Sequence, residues 1–98
     1  MNVYITYDAH NGRSDIKPAL IDAGFMDSFK DADGTIYYLP NTSLWYESII
    51  STSEAERFFF KAIEQLNRSR NPLDKIRIDR FIAVETDTWS GIEGKRHA

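Results

Sequence analysis

Asp8, His10 and Arg13 lie within six positions of one another, where an alternating apolar run gives way to "DAHNGRS". An aspartate at the end of a strand has two physical uses. Its carboxylate can hold a hard divalent cation that activates water and offsets phosphate charge. It can also close a loop through an Asx-turn, here over "AHNG". His10 beside it has the residue type of a general base near neutral pH, although an isolated loop histidine is more often only solvated. Asp27, Asp31 and Asp33 form a second acidic group. Their spacing is that of a calcium loop in part, but the terminal glutamate of such a loop is missing, so a solvated turn around Asp33-Gly34 is expected. No Gly-rich phosphate loop, nucleophile elbow or zinc spacing is present, and a chain with no cysteine has no disulfide, thiolate metal site or cysteine nucleophile.

The elements that must position these residues follow from periodicity. Val3, Ile5 and Tyr7 alternate with Tyr4, Thr6 and Asp8, the pattern of a half-buried strand. Ser14 or Asp15 is expected to cap a first helix that carries Ile16, Ala19, Leu20 and Ala23, tolerates Pro18 in its first turn and stops at Gly24. "FMDSFKDADG" reads as a polar connection with room for a brief strand. "TIYYLP" and "TSLWYES" then read as an antiparallel hairpin around Pro40-Asn41. Ser51 or Ser53, with Glu54 or Glu56 three positions on, caps an amphipathic helix with the stripe Ala55, Phe58, Phe59, Ala62, Ile63 and Leu66. Its wet face includes Glu64 and Arg68 at pairing distance. Pro72 ends that helix.

"KIRIDRFIAVE" is the last long strand. Arg80 interrupts the apolar phase of Ile76, Ile78, Ile82 and Val84, which points to a bulge or to a face that meets a partner subunit.

The order βαββαβ in 98 residues predicts one α+β domain over 1–88 with a polar tail over 89–98 that contains Trp89 and His97. The compact solution is a ferredoxin-like fold: a four-stranded antiparallel sheet with two helices on one face. Tyr4 and Thr6, with Trp45 or Tyr46, are then expected on the face without helices, as a dimer surface or a binding platform. A net charge of -3 and a pI near 5.3 argue against non-specific nucleic-acid binding driven by bulk charge. No run approaches membrane-spanning length and no leader is read, so the cytoplasm is the expected location.

"VYITYD", a short helix, a hairpin, a capped amphipathic helix and "DRFIAVE" together resemble the CRISPR-associated protein 2 family and its relatives, the virulence-associated protein D interferases. The likeness covers nearly the whole chain in element order. It implies a ferredoxin-like homodimer in which Asp8 lies at the two-fold axis and holds a divalent metal, Mg²⁺ or Mn²⁺, with its symmetry mate. Arg13 matches the family's loop arginine, a contact to RNA or DNA, and the polar residue of the second strand falls on Thr35, Thr42 or Ser43. The chain departs from the family in carrying a single arginine in that loop. Members are nucleases of RNA or DNA, or non-catalytic subunits that hold DNA. The resemblance therefore implies a nucleic-acid-processing homodimer, a metal-dependent endoribonuclease in its active form. The alternative is a non-catalytic interaction module that dimerises through its open sheet face.

Overall fold

The computed structural model describes residues 1–49 and 51–86, and the expected tail with Trp89 and His97 lies outside them. The chain runs β1 (Asn2–His10), α1 (Arg13–Asp22), β2 (Ser28–Lys30), β3 (Ile36–Tyr38), β4 (Ser43–Tyr46), α2 (Thr52–Arg68), a 3₁₀ turn (Pro72–Asp74) and β5 (Arg77–Thr86). It is an α+β protein with two helices and antiparallel sheets. No helix among the described residues is long and apolar enough to cross a membrane.

Among the described residues the main sheet has three strands rather than the expected four, in the order β4-β1-β5. The single hairpin expected around Pro40-Asn41 is divided between two sheets. Ile36–Tyr38 pairs back onto Ser28–Lys30, whereas Ser43–Tyr46 pairs with β1. The reason lies in the turn between Lys30 and Ile36. Asp31 Oδ1 accepts the amides of Asp33 and Thr35, Asp33 Oδ1 accepts the Thr35 amide, and Gly34 takes a positive φ of 92°. This closed turn brings "SFK" and "IYY" together. Its acidic residues are spent on backbone donors, as the solvated-turn reading anticipated, and hydrogen bonds with Asp31 and Thr35 hold the Asp33 carboxyl down to about 2. Asp27 parts company from them: it is buried, and its carboxylate lies 3.9 Å from the Lys17 ammonium.

Met26 and Trp45 exchange two backbone bonds of 2.8 and 3.0 Å, so a single bridge beside β4 stands where a fourth strand would run.

The core lies between the main sheet and the helices. Val3, Ile5, Tyr7 and Ala9 are buried on the helix side of β1, the expected parity. Burial pushes the Tyr7 phenol up to about 12. Opposite them Phe59, Ala55 and Ile63 of α2 close the core, and Phe59 packs on both Tyr7 and Phe81. α2 keeps its expected cap: the Ser51 hydroxyl accepts the Glu54 amide at 3.0 Å. Glu64 and Arg68 pair at 3.5 Å with both side chains exposed, an arrangement worth little.

α1 corrects two expectations. Its N-cap is Gly12, without a side-chain cap bond, and Asp15 instead pairs with Arg70 at 2.9 Å. Gly12 is required twice over, by its φ of 65° and by Ile76, whose Cγ1 would stand 2.5 Å from a Cβ at that position. Pro18 is the sixth helical residue and so lies in the second turn, where it leaves the Ser14 carbonyl without its helical donor. The stop at Gly24 is as expected: Phe25 N donates to Leu20 O and Gly24 N to Ile21 O, a Schellman ending with Phe25 driven into the core.

Candidate functional site

Asp8 neither ends its strand nor caps a loop. β1 continues to His10, and Asp8 pairs in register with Arg80 of β5. The Arg80 guanidinium Nε donates to Asp8 Oδ2 at 2.6 Å, with the two side chains 82% and 48% exposed.

That pairing depends on an irregularity. Between Asp8 and Ala9 the register shifts, with Asp8 opposite Arg80 and Ala9 opposite Ile78, so Asp79 is the extra residue of a β-bulge. Before the bulge Ile76 and Ile78 pack toward the core; after it Phe81 and Ala83 do so. The bulge thus keeps the core face apolar while turning Arg80, Ile82 and Val84 to the face without helices. Of the two readings offered for the interrupted phase, the bulge is present; the face beyond it is exposed among the described residues, with Ile82 and Val84 58% and 46% exposed.

The helix-free face has two halves. On the β4 side the Tyr4 hydroxyl donates to Ser43 Oγ at 2.8 Å, and the Ser43 hydroxyl to Thr6 Oγ1 at 3.4 Å. Trp45 continues that face but is covered: Phe29 of the β2–β3 hairpin stacks on it at 4.4 Å, and its indole N–H donates to Ser28 O at 2.7 Å. Tyr46, the other aromatic expected there, points to the core instead, against Phe25 and Phe58. The β5 side, with Ile82 and Val84, has no such cover among the described residues.

Asp8 and Arg13 are brought together in one respect. Both line a cavity of about 740 Å³ between α1 and the end of β1. The cavity exists because β4 begins at Ser43. Among the described residues Tyr7 N makes the last bond on that side, to Thr42 O at 3.1 Å, and the strand beyond it runs without a neighbour there. Arg13 Nε reaches back to Ala9 O at 3.5 Å. His10 is exposed and pairs in register with Arg77, while Arg77 itself bonds Asp79 at 2.9 Å. Of the three candidates for a second-strand polar residue, Ser43 and Thr42 adjoin Thr6, whose hydroxyl donates to Thr42 O at 3.3 Å; Thr35 lies in the distant β2–β3 turn.

A divalent cation at Asp8 finds no cluster of further ligands among the described residues. The carboxylate already accepts from a guanidinium, and among the described residues no three His, Asp or Glu side chains converge. Sequence reasoning missed Arg80 as the partner of Asp8, because only the bulge puts the two on one face. It also missed the buried Lys17–Asp27 pair, for which a lysine among apolar helix positions was the available signal.

Compared with known proteins, the chain matches no family model, no curated protein and no solved structure.

Proposed function

We propose that this protein is a ferredoxin-like homodimer that binds nucleic acid, its two copies meeting across the helix-free face of the main sheet. The observation that carries the reading is the bare half of that face: Ile82 and Val84 stand exposed beside Tyr4, and the same face ends in Asp8. The Met26–Trp45 bridge supports the ferredoxin-like order, since it sets the segment after α1 outside β4, in the place of the edge strand of a βαββαβ sheet.

A two-fold axis near the end of β1 would bring two Asp8 carboxylates toward each other. That pairing would give Mg²⁺ or Mn²⁺ two carboxylates, the number such an ion commonly takes together with waters. Arg13, on the neighbouring cavity rim, is then the phosphate contact.

A second reading, the non-catalytic dimerisation module, is favoured by one observation: Asp8 is already neutralised by Arg80 at 2.6 Å. Two measurements separate the readings. Sedimentation of the wild type and of Val84→Glu is expected to show a dimer that the substitution disperses; a monomeric wild type sinks both readings. Cleavage of labelled single-stranded RNA and duplex DNA, with Mg²⁺ or Mn²⁺ and with chelator, is then compared between wild type and Asp8→Ala. Metal-dependent cutting lost in the variant supports an endonuclease; a dimer that does not cut supports the module.

A further inference from the structure

The cavity beside α1 has a charge pattern of which the nucleic-acid reading uses only Asp8 and Arg13. Four ionic side chains line it: Asp8, Arg13, Lys17 and Asp22. Two of them are already compensated. Asp8 is held by Arg80 at 2.6 Å, and Lys17, only 10% exposed in its side chain, lies 3.9 Å from Asp27.

The remaining two are Arg13 and Asp22, the first and last residues of α1. Arg13 has a single hydrogen bond among the described residues, to a neutral carbonyl, and Asp22 has no ion-pair partner among them. Lys61 shares a neighbouring cavity with Asp22 without forming an ion pair with it. The two charges therefore stand at opposite ends of one helix, nine residues apart, which is about 13 Å along the axis at 1.5 Å per residue and about half a turn around it, so that they flank the cavity from its two sides. The helix dipole has the same sense, positive at the Arg13 end and negative at the Asp22 end. Between them the wall is largely apolar, with Pro18 and Ile21 on α1 and Ala9 on β1.

This pattern selects among ligand classes. A mononucleotide held wholly inside the cavity would bring up to two negative charges to a site with one cation unpaired among the described residues, and its other end would meet Asp22. An apolar ligand would leave both ionic groups desolvated and unpaired, which is costly. A ligand with an anionic group at one end and a cationic group at the other satisfies both. The length fits as well, since an extended tripeptide spans roughly 10 Å at 3.3–3.6 Å per residue, and the two side chains close the remainder. At about 740 Å³ the cavity lies within the range of small-ligand sites, roughly 300–1,000 Å³.

We infer that the cavity between α1 and the end of β1 binds a small elongated zwitterion of tripeptide size, with its carboxylate at Arg13 and its ammonium group at Asp22. The inference does not rest on the nucleic-acid reading and competes with it for Arg13, which holds a carboxylate here and a phosphate there.

The test uses trialanine as probe, titrated into the full chain and followed by calorimetry, beside N-acetyl-trialanine, which lacks the cation, and trialanine amide, which lacks the anion. Each capped peptide is expected to bind about tenfold more weakly than trialanine, the scale of one lost charge-assisted hydrogen bond. Arg13→Gln should weaken trialanine by about that factor and leave the amide unchanged; Asp22→Asn should weaken trialanine and leave the N-acetyl form unchanged. Both side chains belong to exposed residues, so the fold survives the changes. No saturable binding of trialanine overturns the inference. So do capped peptides that bind as well as the free one, and so do variants that weaken all three ligands alike.

Discussion

The two faces of β1 are built by different rules. On the helix side Val3, Ile5, Tyr7 and Ala9 are all buried, and each is fixed by what packs against it. On the other side Tyr4, Thr6 and Asp8 are half-buried and held by cross-strand partners: Ser43 for the first two, Arg80 for the third. The bulge at Asp79 serves both faces at once. It restores the apolar phase toward α2 with Phe81 and Ala83, and the same half-step sends Arg80, Ile82 and Val84 to the face without helices. The core face is therefore determined by volume, and the open face by register.

Substitutions should reveal that difference in order of size. Phe59→Ala removes the ring that packs on Tyr7 and Phe81, and is expected to cost about 3–5 kcal/mol in denaturant unfolding. A cost under about 1 kcal/mol would mean that the core face is not the tightly packed one. Gly12→Ala, where β1 hands the chain to α1, combines a positive φ with the approach of Ile76, and should cost about 2 kcal/mol or more. Tyr7 sharpens the contrast through pH. Its folded phenol titrates near 12 against an ordinary 10, so the neutral form is favoured in the folded state. The stability it contributes is complete below pH 10 and declines as pH rises from about 10 toward about 12. Denaturant midpoints of wild type and Tyr7→Phe should diverge in that window and run parallel below it. Asp8→Asn on the open face comes last: the exposed pair with Arg80 is expected to contribute under about 1 kcal/mol, so unfolding should barely change. A loss comparable to that of Phe59→Ala would break the distinction between the faces.

Where the sequence was informative, one element at a time sufficed to read it. The alternation in Val3–Tyr7, the Ser51 cap with its apolar stripe through Ile63, the Gly24 stop and the break in phase at Arg80 are local patterns, and each is present in the structure. The choice of strand partners was not legible. "TSLWYES" has the same β-prone composition whether it pairs with "TIYYLP" or with β1, and the closed turn at Asp31–Thr35 decided the matter by giving "IYY" a nearer neighbour in "SFK". The first cap was not legible, because Ser14 and Asp15 carry the better capping side chains. Space decided otherwise: only glycine fits against Ile76.

For the candidate site, Asp8 and Arg13 were legible as residue types and do line one cavity, but the ionic partner of Asp8 was not. The sequence by itself determined the α+β character, the two helices, the parity of β1 and the chemistry available at its end, because these follow from periodicity and side-chain type within a few residues. Only the tertiary structure decided that the main sheet has three strands among the described residues, that Trp45 is covered by Phe29, that Arg80 meets Asp8, and that Arg13 and Asp22 line one cavity without an ion-pair partner among the described residues. Each of those depends on which distant segments become neighbours. Register, burial and charge compensation are properties of pairs, and a pair such as Asp8 and Arg80, separated by most of the chain, has no signature in either residue alone.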